Sequence, residues 1–203
     1  MTTMVLGLTG SIATGKSTVS AFFRELNIPV IDADLVAREV TEPHSLGLQR
    51  IAAYFGEKVL NPDGTMNRGY LGQRVFGNPA ELKVLTNITA PLIRVAIIDE
   101  LAAYKVKQIP LVVLDMPLLY EQHYETVVDQ VMVVCTTEEQ QLNRLMQRNG
   151  LTQVAAQQRI DSQISIAKKI KLADVVIDNT GDVAETKRQV VKWLEEQSFR
   201  NEE

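Results

Sequence analysis

The chain has 203 residues, room for one domain with an insertion, and 45% of them are hydrophobic, enough for a sizeable core. Its formal net charge of −4 excludes a general electrostatic attraction to nucleic acid or to an anionic membrane, although a local basic patch is still allowed. The longest apolar runs, about six to eight residues, are too short to span a bilayer. Met1-Thr2-Thr3-Met4 carries no basic region of a signal peptide, and the single Cys135 can form no internal disulfide. A soluble, cytoplasmic protein is expected.

The first apolar run, Met4-Val5-Leu6-Gly7-Leu8, feeds into Gly10-Ser11-Ile12-Ala13-Thr14-Gly15-Lys16-Ser17, and a helical segment follows from Lys16 to Leu26. Strand, glycine loop and helix in this order form the context of a phosphate-binding loop. Glycines let the backbone turn tightly and bring its N–H groups close to an anion. The helix start directs free N–H groups and a positive dipole end at the same anion. Lys16 adds a mobile charge for the β- and γ-phosphates, and the Ser17 hydroxyl suits Mg²⁺. The expected nucleotide-binding set is Gly10, Ala13, Thr14, Gly15, Lys16, Ser17 and Thr18. Ala13 stands where a further glycine would give more room.

The second strand is expected over Pro29–Ala33 and ends in Asp32-Ala33-Asp34. Strand alternation would put both carboxylates on one side. One would accept a proton from an attacking hydroxyl and the other would hold water around Mg²⁺; alternatively, the pair caps the next helix. Arg38 lies one helical turn beyond Asp34 and either pairs with it or reaches a substrate phosphate. The third strand does not begin until Leu111, too far on for a single crossover, so residues 35–108 read as a mostly helical insertion. Its helices are expected at Leu35–Val40, Leu46–Phe55 and Tyr70–Phe76, with a turn at Asn61-Pro62-Asp63-Gly64. Asn78-Pro79-Ala80-Glu81 reads as an N-cap, a first-turn proline and a capping-box glutamate, and Pro91 should kink or restart that helix.

Leu111–Asp115 reads as the third strand and runs into Met116-Pro117-Leu118-Leu119-Tyr120-Glu121. Asp115 sits where phosphate-loop enzymes place a metal-organising carboxylate. Met116 follows it, not the water-activating glutamate of ATP-driven motors. Glu121 caps a helix or orients substrate. The fourth strand, Gln130–Cys135, includes Cys135 as a small buried hydrophobe. Arg144 and Arg148 share a helix face and, with Arg159, would neutralise charge on a transferred phosphoryl group; alternatively they form a solvated basic face. Lys168, Lys169 and Lys171 read as surface residues. After a fifth strand at Asp174–Ile177, Asn179-Thr180-Gly181 would line an adenine pocket. The closing helix, Val183–Glu196, should bury Val183, Val190, Val191 and Leu194, with Trp193 completing that core face. The five apolar runs, separated by helices, make an α/β three-layer fold with a five-stranded parallel sheet flanked by helices. His44 and His123 are isolated, which gives no zinc-ligand spacing.

Together these residues resemble the dephospho-CoA kinase family over nearly the whole chain. The resemblance rests on Gly7-Leu8-Thr9-Gly10 before the phosphate loop, Ile31-Asp32-Ala33-Asp34 with Arg38, and Asp115-Met116-Pro117-Leu118-Leu119-Tyr120-Glu121. Arg144, Arg148, Arg159, Gln163 and Ala173-Asp174-Val175-Val176-Ile177-Asp178-Asn179 complete it. It implies transfer of the γ-phosphoryl group of ATP to the ribose 3′-hydroxyl of dephospho-CoA, the last step of coenzyme A synthesis. It implies a phosphate-loop kinase core (1–34 and 109–203), a helical CoA-binding insertion (35–108) and a mobile lid at about 138–165. Asp34 would be the general base, with Asp32 next in line. Lys16, Arg144, Arg148 and Asn179 would serve ATP, while Asp32, Asp34, Arg38, Asp115, Leu118 and Leu119 would serve the acceptor. Mg²⁺ would be held at Ser17 and Asp115, and the protein would act as a monomer or small homo-oligomer without nucleic-acid or membrane partners. The family often has His-Pro where this chain has Ala90-Pro91, and Ser11 and Ala13 replace common loop glycines. The rivals are another small-molecule or nucleotide kinase with this core, or a nucleotide-binding regulatory ATPase that docks a protein on the insertion.

Overall fold

The computed structural model describes residues 2–197. In chain order, β1 (Met4–Gly10) leads through a glycine loop to α1 (Lys16–Glu25), and β2 (Val30–Asp32) passes straight into α2 (Ala33–Glu39). Next come α3 (Leu46–Phe55), α4 (Arg68–Val75) and the long α5 (Pro79–Val106). β3 (Leu111–Asp115) and β4 (Gln130–Cys135) precede α6 (Glu138–Asn149), α7 (Gln153–Asp161) and α8 (Ile166–Leu172). β5 (Val175–Asp178) and α9 (Val183–Glu196) close the described chain. It forms two compact units, Met1–Ile31 with Tyr104–Glu203, and Asp32–Ala103. No described helix is long and apolar enough to cross a membrane.

The first unit is built on a five-stranded parallel sheet in the order β2-β3-β1-β4-β5. Its strands lack polar alternation because helices cover both faces of the sheet. Leu6, Leu8, Val113, Met132, Val134 and Ile177 from the sheet pack with Val19 and Phe23 of α1 and Val190, Trp193 and Leu194 of α9. Each such large side chain contributes about 1.5–3 kcal/mol on burial. Phe23 and Trp193 meet edge to face at 6.4 Å, the arrangement their ring quadrupoles favour. β1 sits between β3 and β4, so the chain departs from it toward both edges of the sheet. Such a switch point opens a crevice at the carboxyl ends of the strands. Register brings those ends level: Leu8 lies beside Asp115, Gly10 beside Val134 and Cys135 beside Asp178. Burial raises the Cys135 thiol pKa, in keeping with a structural thiol.

Three expectations in this unit are corrected. β2 ends at Asp32, and Ala33 already belongs to α2, because the Asp32 carboxylate accepts the N–H groups of Asp34 and Leu35 and turns the chain out of the strand. Asp174 is not in β5: its carboxylate accepts the Val131 N–H at 2.8 Å and fixes the start of the β4 pairing. On α9, Val183 is 52% exposed, and Thr186 faces inward in its place.

The second unit buries Ile51, Phe55, Val59 and Leu71 against Val84, Leu85 and Ile88. Its helices start at side-chain caps: Ser45 accepts from the Leu48 N–H and Asn67 from the Tyr70 N–H. Asn78 accepts the Glu81 N–H as expected, while the Glu81 carboxylate pairs with Arg74 instead of closing a capping box. The Asn61–Gly64 turn is closed by the Gly64 N–H on the Asn61 carbonyl. Pro91 does not restart the helix; α5 continues through it, at the cost of the amide that would have served the Asn87 carbonyl.

Candidate active site

The phosphate loop leaves β1 at Gly10 and enters α1 at Gly15. A Cβ on Gly10 would lie 2.6 Å from Thr14 Oγ1 and 2.8 Å from the Val134 carbonyl, so only glycine fits against the folded-back loop. Gly15 has φ +96°, and a Cβ there would strike the Asn179 amide. Ala13 is left-handed too, at φ +63°, which costs a residue with a Cβ about 1–2 kcal/mol. The buried Thr14 hydroxyl holds the turn by donating to the Ser11 carbonyl at 2.9 Å. Asp32, Ser45, Thr137, Thr152, Ser165 and Asp182 each cap the helix that follows, whereas Gly15 gives α1 no side-chain cap. The Thr18 N–H turns back to the Gly15 carbonyl at 3.0 Å, and no side-chain cap competes with an anion for the amides that precede it.

Lys16 and Asp115 form an ion pair, and Asp115 is buried at the end of β3. Asp115 thus supplies a resting partner for an ammonium that lies at the mouth of the loop. Ser17 is exposed in the first turn, with its hydroxyl oxygen open to a hard cation, and Thr18 is half-buried behind it. Beyond Asp115, Leu118 is half-buried, but Leu119 is fully buried, with Cδ1 2.6 Å from the place of a Cβ on Gly7. Leu119 is therefore a core residue; the acceptor contact expected of it is corrected.

Asn179 is buried, and its amide is spent inside the protein. It donates to the Thr14 carbonyl at 2.8 Å and accepts from the Thr186 hydroxyl at 2.8 Å. Its side chain is a strut under the loop. The Asn179 carbonyl accepts from Arg144 at 3.0 Å, which anchors that guanidinium at the carboxyl end of β5. Arg148 is exposed one turn on, against Asn149 Oδ1, and Arg159 is exposed on α7.

The sequence missed a set of buried supports. Lys169, expected on the surface, is completely buried and donates to the carbonyls of Gly10 and Pro117 at 3.2 and 3.0 Å. It also pairs with Glu121 at 3.0 Å, and Glu121 accepts the Ile164 N–H. Glu121 caps no helix and is tied into this network instead. Two glutamines clamp one loop peptide: Gln163 accepts the Ile12 N–H at 2.8 Å, and Gln141 donates to the Ile12 carbonyl at 2.9 Å. No spacing announces these contacts, because every pair of partners is distant in sequence, from 43 residues for Glu121 and Ile164 to 159 for Lys169 and Gly10.

In the second unit, Asp34 is exposed in the first turn of α2 and Arg38 is exposed in its last turn; they form no ion pair with each other. Asp32 is the half-buried cap of the same helix. Asp34 thus stands on a helix, not a strand, and the expected strand alternation does not relate the two carboxylates.

A family model described as dephospho-CoA kinase matches residues 4–185. The chain belongs to the dephospho-CoA kinase family. A dephospho-CoA kinase from Latilactobacillus sakei is 50% identical over 193 residues, with 95% of each chain covered. One from Listeria monocytogenes is 46% identical over 190 residues, with 94% of this chain and 95% of the relative covered. The structure of a dephospho-CoA kinase from Campylobacter jejuni superposes with a TM-score of 0.76 at 35% identity, covering 98% of both chains. A shikimate kinase from Bacteroides thetaiotaomicron, 17% identical with a TM-score of 0.51 and covering 97% of this chain and 99% of its own, shares the fold alone. The activity of the dephospho-CoA kinase family, ATP-dependent phosphorylation of dephospho-CoA in coenzyme A biosynthesis, is the activity of this chain.

Proposed function

We propose that the chain transfers the γ-phosphoryl group of ATP to the ribose 3′-hydroxyl of dephospho-CoA, with the β- and γ-phosphates held by residues 10–18. The observation that carries this reading is the uncapped start of α1, with Lys16 in its first turn and Asp115 beside it. Phosphoryl transfer needs little covalent help from a protein, so positioning and charge stabilisation carry the rate. The loop amides and Lys16 take the negative charge of the phosphates. When ATP arrives, Lys16 exchanges Asp115 for phosphate oxygens. Arg144, and Arg148 one turn further out, balance the charge that spreads over the transferred group. Asp34, in keeping with the family resemblance, accepts the proton of the attacking hydroxyl; its exposure leaves the carboxylate open to an acceptor. Arg38 serves the acceptor's phosphates.

The donors at Ser17 and Asp115 fit Mg²⁺, a hard cation that takes one or two protein oxygens and completes its shell with phosphates and water. Held there, Mg²⁺ would supply positive charge that neutralises the phosphates. Residues about 138–165 act as the lid and residues 35–108 as the CoA-binding part. We take the chain to act on a small molecule in the cytoplasm, in keeping with the place of its family in coenzyme A biosynthesis.

A coupled assay of ADP release tests the reading. We expect release that depends on dephospho-CoA, and a loss of roughly 10²–10³-fold in Lys16→Ala, as for removal of a preorganised charge donor. Release unchanged by Lys16→Ala would overturn the assignment of the loop.

A further inference from the structure

We propose that Lys169 and Glu121 are positioning residues for the transfer: one buried ion pair sets the phosphate loop and ties the end of the lid segment to it. The inference rests on the reading that residues 10–18 hold ATP.

An ammonium has three hydrogens, and Lys169 places all three on fixed acceptors: Gly10 O, Pro117 O and Glu121 Oε1. These acceptors belong to the two segments that carry the site. Gly10 begins the phosphate loop, and Pro117 lies two residues past Asp115, the partner of Lys16. Glu121 continues the chain of contacts by accepting the Ile164 N–H at 3.0 Å, and its neighbour Gln163 accepts the Ile12 N–H. α8 is thus linked through one carboxylate to the lid end and through it to the centre of the loop.

Stability alone is a poor reason for this arrangement. Desolvation of a buried pair offsets most of its attraction, and an apolar pair of similar volume often does as well. What an apolar pair cannot do is fix the direction of two carbonyls. Burial lowers the Lys169 pKa, Glu121 opposes that shift, and the nearby Lys16 ammonium adds to it. The two lysines therefore feel each other's charge, and Glu121 and Asp115 separately hold them in place. The Glu121 Oε2 atom is buried without a hydrogen-bond partner, so the carboxylate depends on Lys169 and Ile164 alone.

The test is steady-state kinetics with each substrate varied, on Lys169→Met, Glu121→Gln and the double variant, with folding followed by circular dichroism and Lys16→Ala as control. Misplacing the loop should raise the KM for ATP about tenfold and lower kcat about tenfold in Lys169→Met, with the KM for dephospho-CoA within about twofold of wild type. Glu121→Gln, which keeps the Ile164 acceptor and the shape but loses the charge, should shift in the same direction by less. The double variant should be no worse than Lys169→Met, because the pair acts as a unit. A purely structural role would lower kcat with the folded fraction and leave both KM values alone, and that pattern overturns the proposal. If Lys169→Met does not fold, a wild-type ATP KM and kcat in Glu121→Gln overturn it. If wild type and Lys16→Ala behave alike, the reading of the loop fails instead, separately from the role of Lys169.

Discussion

Asn179 shows how much of a phosphate loop is made by residues outside it. Gly15 has no Cβ, so the Asn179 amide can approach where a Cβ would stand 1.9 Å away, and it reaches the Thr14 carbonyl. Asn179→Asp keeps the acceptor for Thr186 but removes the donor to Thr14. We expect a loss of about 1–3 kcal/mol in urea denaturation, the cost of leaving a buried acceptor unpaired, together with weaker ATP binding. Ala13 offers the opposite change. Its φ of +63° suits glycine, and Ala13→Gly should raise stability by about 1 kcal/mol or less, because the relief of strain outweighs the added freedom of the unfolded chain. A lower urea midpoint would show that the Ala13 methyl contributes more than the strain removes. At this scale the sequence was legible where chemistry is local. The glycine spacing and Lys16 could be read directly, but the burial of Lys169 could not, because its acceptors come from residues 10, 117 and 121.

Among the elements, α1 and α2 divide the two uses of a helix start. α1 begins without a side-chain cap, so no side chain competes with phosphate for its first amides; α2 begins on the Asp32 carboxylate, which occupies two of its amides. The roles of Asp32 and Asp34 therefore separate by experiment. Asp32→Ala should cost about 1 kcal/mol of stability, whereas Asp32→Asn, itself a good cap, should cost far less. Asp34→Asn should leave the urea midpoint within about 0.5 kcal/mol of wild type, as for an exposed site, and lower turnover by roughly 10²–10³-fold. Near-wild-type turnover in Asp34→Asn would pass the role of base to Asp32. Elements that bury both faces or one clear stripe were readable: Leu111–Asp115, Gln130–Cys135, Leu46–Phe55 and Val183–Glu196 begin and end where the pattern put them. The misreadings fell at ends where a side chain competes with backbone pairing, as at Asp32 and Asp174; of the two outcomes open at Pro91, a restart is ruled out, since α5 runs through it.

For the whole molecule, Lys169 links the site to global stability. Its pKa in the folded protein lies below the ordinary lysine value, chiefly through burial. Between the folded value and 10.5 the unfolded chain holds more protons, so this group makes stability rise with pH across that window. The stabilisation is lost again as pH falls to the folded value. The stability difference between wild type and Lys169→Met should therefore grow across the alkaline window, by at most about 1.4 kcal/mol per pH unit for one proton. A difference constant with pH would mean that burial does not depress this lysine. The most direct measurement of the central claim is phosphorus NMR of the products from ATP and dephospho-CoA. We expect one new phosphomonoester resonance on the acceptor ribose, formed with ADP and absent with Lys16→Ala. ADP and free inorganic phosphate, with the acceptor unchanged, would contradict it.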